Sequence, residues 1–361
     1  MLWVPPMYSR FQVNQAARIL VDPPLEVTDQ SDESFAIIGN WRTAHNFPLN
    51  TFQIGLRRRA KQVDENAIVV QRLKRLSSIA LKLQRFPEMK LSQMQDVAGC
   101  RAVVESVSQV VKLVNLYKKS DIKHKLVHED DYIQHPKESG YRGVHLVYRY
   151  FSDRSELYND LKVEVQIRSY MQHYWATAVE TVGTFIQQAL KSSQGEEDWL
   201  RFFVLMGAAI AAREGTPPVP NAPVNRREWR AELRHYVNAL DVENHLRVYA
   251  SALTAPERVG QDAHYFLLEL DPVAREVKVT GYKRDELEKA SNDYLSAERS
   301  AISGRTFHDA VLVSAESLKS LKLAYPNYFL DTHRFIQVMK HAVGKPKPYD
   351  GQTEFPFMRG Q

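Results

Sequence analysis

The segment Leu161-Lys-Val-Glu-Val-Gln-Ile-Arg168 constrains the fold more than any other stretch of this chain. Its residues alternate strictly. Successive side chains of a strand point to opposite faces, so Leu161, Val163, Val165 and Ile167 share one face and Lys162, Glu164, Gln166 and Arg168 share the other. One face reads as core. The other is a row of charged and hydrogen-bonding groups: either plain solvent exposure on a half-buried sheet or the floor of a polar cleft.

Around this strand the pattern is α/β. Further strands are expected at 67–75, 100–105, 122–128 and 143–151, with helices at 53–64, 77–85, 107–119, 170–190 and 197–213. Strands alternating with helices indicate a mixed sheet covered by helices. The proline-rich run Gly215-Thr-Pro-Pro-Val-Pro-Asn-Ala-Pro223 breaks the pattern and reads as a linker or an ordered surface loop. Helices are expected at 226–252. A small separate α+β unit should follow, with strands at 263–270, 274–281 and 310–314 and helices at 284–302 and 331–342. A length of 361 residues suits two or three such units. The single cysteine, Cys100, excludes a disulfide framework and a cysteine-based zinc site and fits a reducing, cytoplasmic compartment. No window approaches the ~18 apolar residues of a membrane span, and the N-terminus lacks the basic flank and apolar core of a signal peptide.

The net charge of +5 is local in origin. Between Arg57 and Lys90 ten Lys and Arg face three acids, which marks a candidate surface for phosphate-bearing partners or, more plainly, a solvated helix face. Within that stretch Arg72 and Lys74 fall on one strand face. Ser78 and Lys82 form an i, i+4 pair near the start of the next helix, a plausible triphosphate cradle without any P-loop motif. Asp96 and Arg101 flank Gly99, and two carboxylates on adjacent sheet elements, Asp96 and Glu164, suit Mg²⁺. The run Asp131-Tyr-Ile-Gln-His-Pro-Lys-Glu-Ser-Gly-Tyr-Arg-Gly-Val-His145 carries Tyr141 at a glycine-hinged tip, either stacked on a base or lying on the protein's own surface.

In order, Arg-x-Lys-x3-Ser-Ile-x2-Lys from Arg72, Asp-x-Ala-Gly-x-Arg from Asp96, Asp-Tyr-Ile-x2-Pro-Lys-x-Ser-Gly-Tyr-Arg-x2-His from Asp131 and Glu-x-Gln-Ile-Arg from Glu164 resemble the synthetase domain of the RelA/SpoT alarmone family. The resemblance spans about residues 50–215. It implies a nucleotidyltransferase-like mixed sheet with flanking helices and a pyrophosphokinase that moves the β,γ-pyrophosphate of ATP to a ribose hydroxyl. Carried over, Asp96 and Glu164 become the catalytic Mg²⁺ ligands, with Glu164 also a candidate base. Arg72 and Arg101 would sandwich adenine, while Lys74, Ser78 and Lys82 would hold the phosphates. Lys137, Tyr141, Arg142, His145, Gln166, Arg168 and Glu180 would serve the acceptor. Two departures fall on the acceptor side. Gly143 stands where the family commonly has Ser, and the helix reads Trp175-Ala-Thr-Ala-Val-Glu180, with its glutamate one place late.

Length and layout are similar to the fused toxin–antitoxin branch of that family, the CapRel-type proteins. This second resemblance implies a toxic synthetase acting on the 3′ CCA end of tRNA, with GDP or GTP as the alternative acceptor and a silent nucleotide- or RNA-binding sensor as a third reading. It further implies a C-terminal pseudo-zinc-finger-like domain, without zinc, that restrains the enzyme until a phage protein binds. Tyr325-Pro-Asn-Tyr328 matches the motif by which that domain blocks the ATP site. The expected organisation is an N-terminal segment (1–50), the synthetase (51–215), linker and helices (216–260), the regulatory domain (261–345) and a tail (346–361).

Overall fold

The computed structural model describes residues 3–22, 29–189, 196–251, 262–271, 276–302, 309–314 and 332–344. In chain order the elements are α1 (Arg10–Ala16), α2 (Asp29–Ala44), α3 (Asn46–Val63), β1 (Ile68–Leu73), α4 (Leu76–Arg85), β2 (Ala98–Val104), α5 (Val107–Lys118), β3 (Lys125–Asp131), β4 (Val144–Arg149), β5 (Lys162–Ser169), α6 (Tyr170–Ala189), α7 (Glu196–Glu214), α8 (Arg226–Ala239), α9 (Val242–Ser251), β6 (Tyr265–Asp271), β7 (Glu276–Tyr282), α10 (Leu287–Ile302), β8 (Asp309–Ser314) and α11 (His333–Val343). Local chemistry explains several boundaries. Ser106 and Gln109 form a reciprocal capping box that starts α5, and Ser9 and Gln12 do the same for α1.

The strands form one sheet in the order β3-β4-β5-β2-β1-β8-β6-β7. Strands β2 and β5 run parallel, with Gly99 opposite Glu164, and β1 and β4 flank them antiparallel. The alternation of 161–168 is realised as the sequence requires. Val163, Val165 and Ile167 join Val69, Leu73, Cys100, Ala102, Leu146 and Tyr148 in a core against Leu49, Phe52, Leu56 and Ala60 of α3 and Val110 and Leu113 of α5. Each fully buried large apolar side chain contributes about 1.5–3 kcal/mol. The opposite face of the same strands carries Arg72, Arg101, His145, Glu164, Gln166 and Arg168.

The expected separate unit and basic surface are corrected. The C-terminal α+β unit is not separate. Strand β8 pairs with β1 through Gln71↔Ser314 and Arg72↔Val313, so β8, β6 and β7 extend the sheet, because an edge strand with free backbone groups accepts another strand whatever linker precedes it. Helix α11 lies in a second core with α6 to α9, with Phe335 against Phe202. The N-terminal segment, residues 1–50, supplies α1, α2 and the start of α3. The basic stretch from Arg57 is divided. Helix α3 covers the apolar face, so exposed Arg58 and Lys61 lie across the sheet from Glu164, and Arg59 stacks on Tyr117 at 4.9 Å. The proline-rich run is an ordered loop with Val219 buried. Tyr325, Tyr328 and the tail 346–361 lie outside the described residues.

Candidate active site

Two carboxylates organise the polar face. Asp96 is reached by Lys74 Nζ at 2.8 Å and Lys82 Nζ at 2.9 Å. Lys74 comes directly after β1, where its amide bonds to Val97 O at 2.8 Å. Lys82 comes from α4, one turn after half-buried Ser78 on the same side of the helix. Burial alone would raise the Asp96 pKa, but the two ammonium groups outweigh it and hold the carboxyl below its ordinary value.

A buried clasp fixes the turn between β1 and α4. Arg42 of α2 donates to Lys74 O through Nε and Nη2, at 3.1 and 2.8 Å, and pairs with Glu298 of α10 at 2.5 Å. The Tyr294 hydroxyl lies 2.8 Å from Arg42 Nη2. Glu298 also accepts from the Leu76 amide at 2.6 Å. Arg75, at the N-cap position of α4, gives no side-chain cap, so a carboxylate from the C-terminal segment satisfies the first helical amide instead. That end of α4 is part of the expected triphosphate cradle of Ser78 and Lys82. The structure gives its first amide to Glu298.

Glu164 belongs to a closed ring of hydrogen bonds. His145 Nδ1 lies 2.8 Å from Glu164 Oε1, and Gln166 Nε2 donates to Oε2 at 2.6 Å. Arg168 Nη2 donates to Gln166 Oε1 at 3.0 Å and to the Tyr141 hydroxyl at 2.6 Å, and that hydroxyl lies 2.6 Å from His145 Nε2. Arginine only donates and a carboxylate only accepts, so Arg168 donates to the Tyr141 hydroxyl and His145 Nδ1–H donates to Glu164. Burial pushes the Glu164 pKa up. The His145 hydrogen bond and charge push it down further, with a net fall below its ordinary value, and the charge of Asp96 is felt at Glu164 as an opposing effect.

Both carboxylates are therefore ionised at neutral pH, near enough to interact, and hard in their donor atoms, a set that fits Mg²⁺. Among the described residues no group of three or more His, Cys, Asp or Glu could hold a metal ion. Phosphate oxygens and water would have to complete the coordination. Arg72 and Arg101 sit on the same face, Arg72 opposite Gly99 and Arg101 opposite Val70. That diagonal places them about 7–8 Å apart, with the bare Gly99 between Arg72 and Glu164.

The acceptor-side residues divide. Tyr141 is enclosed: Lys137 Nζ lies 5.4 Å from its ring centre, Arg168 Cζ 5.0 Å, and Trp175 meets it edge-on. Its loop is locked where Gly140, at φ 90°, backs onto Gly207 of α7, at which a Cβ would come within 2.8 Å of Gly140 Cα. Gly143, at φ 148°, lies against Arg168 Cγ, which a Cβ there would meet at 3.1 Å, so the departure from serine is built into this backbone. Arg142 is a correction. It is buried and donates to Ile133 O, Thr216 Oγ1 and Pro217 O, which makes it a strut between the loop and residues 216–217. A basic residue in a motif does not reveal which way its side chain turns. Glu180 lies on the exposed side of α6, ten residues beyond the start of that helix.

Part of the chain is similar in sequence to known proteins. Residues 71–183 match the region found in RelA and SpoT proteins. Similar proteins are GTP pyrophosphokinase YjbM of Bacillus subtilis (strain 168), 37% identical over 113 residues, and GTP pyrophosphokinase YwaC of the same organism, 33% identical over 112 residues. The matches cover 30% and 29% of this chain, and the chain spans about half, 52%, of each of those proteins. A solved GTP pyrophosphokinase family protein from Streptococcus pneumoniae aligns at 24% identity and a TM-score of 0.40 over 52% of this chain and 93% of that one. Arg72, Asp96, Tyr141 and Glu164 all lie inside the segment that matches that region. Among the described residues no helix is long and apolar enough to cross a membrane.

Proposed function

We propose that the chain is an ATP-dependent pyrophosphokinase of RelA/SpoT type. The observation that carries this reading is the convergence of Lys74 and Lys82 on Asp96, on the same face of the sheet as the hydrogen-bonded Glu164. In the reaction a ribose hydroxyl oxygen bonds to the β-phosphorus of ATP, the bond from that phosphorus to the bridging α–β oxygen breaks, AMP leaves, and the hydroxyl proton passes to a base. Such a displacement needs charge neutralisation and alignment more than covalent chemistry. Asp96 and Glu164 would hold a Mg²⁺ that neutralises the triphosphate. Lys74 and Lys82 exchange the Asp96 carboxylate for phosphate oxygens, Ser78 adds a hydroxyl, and Arg72 and Arg101 take the adenine. Glu164 accepts the proton, and His145 and Gln166 fix its orientation.

The acceptor separates two readings. The relatives' name supports GTP. The departures at Gly143 and Glu180 fall on the acceptor side and support a different acceptor, the 3′ end of tRNA, in a toxin whose activity the C-terminal segment controls. The joining of β8 to β1 and the Glu298 clasp support such control, because a partner that draws the C-terminal segment away would release the β1–α4 turn. The deciding experiment supplies γ-labelled ATP with tRNA or with GTP. Label on tRNA alone selects the toxin reading, label on GTP selects the alarmone reading, and label on neither, with ATP bound, leaves a silent sensor.

A further inference from the structure

Beside the residues assigned to donor and acceptor, a cavity of about 460 Å³ opens where α1, the turn at Leu91–Gln93 and the ends of β4 and β5 meet. Four cations line it, Arg10, Lys90, Arg149 and Lys162, against one acid, Asp160. The walls are tied together. Asn14 of α1 accepts from the Ser92 amide at 3.0 Å, and Lys162 Nζ donates to Gln93 O at 2.9 Å. Arg149 and Lys162 are direct cross-strand partners. Like charges placed opposite each other destabilise a sheet. The one acid offers little relief, since Asp160 stands 3.8 Å from Arg149 and both are well exposed. An anion in the cavity would remove the conflict.

The cavity also adjoins the candidate active site. Lys162 and Glu164 share a strand face two residues apart, about 7 Å. Gln93, in its wall, lies three residues before Asp96. We propose that this cavity is a second phosphate-binding site, which takes the phosphoryl groups of the acceptor or of a separately bound nucleotide. The cations come from four separate segments of the chain, and the volume accommodates a nucleotide-sized ligand. The site goes beyond the pyrophosphokinase reading, and its test is a binding measurement that needs no turnover.

Inorganic pyrophosphate is titrated calorimetrically into the full chain saturated with α,β-methylene-ATP. The wild-type chain should bind it, and Arg149→Met with Lys162→Met should weaken that binding at least tenfold while Lys162→Arg retains it. Exposed Arg10 and Lys90, each replaced by Met, provide the same test with smaller losses if the sheet pair disturbs folding. Binding that is equally tight in the double variant, or absent from the wild-type chain, overturns the proposal. In turnover, a raised KM for the acceptor at unchanged KM for ATP assigns the phosphates to the acceptor. Unchanged KM values with lost pyrophosphate binding assign them to a separate nucleotide. A chain that transfers nothing to any acceptor defeats the pyrophosphokinase reading and leaves the calorimetry standing.

Discussion

The two faces of β1, β2, β4 and β5 are made by the same backbone and held by opposite means. On one, Val69, Cys100, Leu146, Val163 and Val165 pack against α3 and α5, where close contact and exclusion of water do the holding. On the other, Asp96 is balanced by two lysines and Glu164 by a ring of hydrogen bonds. The polar face contributes little to folding beyond offsetting its own desolvation, so its order reflects what it must hold. Substitutions there should change chemistry at constant stability, and substitutions in the helical layer should do the reverse.

The largest expected effect tests the polar face. Asp96→Asn and Glu164→Gln should each lower the transfer rate on the order of 10³-fold, since each removes a charge that a Mg²⁺–triphosphate complex requires. The melting temperature should hold. Either variant turning over at near wild-type rate with an unchanged melting temperature defeats the two-carboxylate assignment.

The Arg42–Glu298 clasp is where the division should break, because it lies in the helical layer yet fixes the backbone that carries Lys74. Arg42→Met strands a buried carboxylate and should cost about 3–5 kcal/mol of stability, read from denaturant midpoints. Glu298→Gln keeps the hydrogen-bonding shape and should cost less, but should raise the KM for ATP through a looser β1–α4 turn. A Glu298→Gln enzyme with unaltered ATP affinity would confine the clasp to folding.

His45 offers a smaller test of the apolar side. It is fully buried at the junction of α2 and α3, where burial lowers its pKa from 6.5 to about 4 despite the hydrogen bond to Trp41 O. The folded chain thus binds a proton less readily than the unfolded chain. Its contribution is intact above about pH 6.5 and declines as pH falls toward 4, by roughly 3 kcal/mol in all. His45→Gln should flatten that part of the stability–pH curve without altering the pH dependence of the rate between 6.5 and 8.

Much of this arrangement is legible in the sequence, for reasons that also mark where legibility stops. Strict alternation fixes the faces of 161–168, and the i, i+4 spacing puts Ser78 and Lys82 on one side of α4, because both depend only on local geometry. The pairing of β8 with β1 is not written in either strand, since register between distant edges is settled by tertiary packing. Nor does a charge count along the chain group Lys90 with Arg10, Arg149 and Lys162, which the fold gathers from four places while it sends Arg58 and Lys61 to the far side. Arg142 and Tyr141 share one motif, yet one is a buried strut and the other a member of the Glu164 ring.

That ring gives the smallest and most selective test. Tyr141→Phe keeps the aromatic packing against Trp175 and Lys137 and removes only the hydroxyl that Arg168 and His145 share. Without it His145 loses the partner that sets its Nε2 side, and the bond from Nδ1 to Glu164 is oriented from one end only. Partners of this kind around a metal-binding carboxylate are worth about 10- to 100-fold in activity or metal affinity, and the lower end is expected here because Gln166 still donates to Glu164. Lys74, Lys82 and Asp96 do not touch the hydroxyl, so the KM for ATP should stay constant while kcat falls and the Mg²⁺ concentration for half-maximal rate rises. His145→Gln should mimic the change, and combining it with Tyr141→Phe should add little, because both substitutions cut one chain of contacts. Fully additive losses would show that the two residues act on Glu164 independently and that the ring is a coincidence of packing.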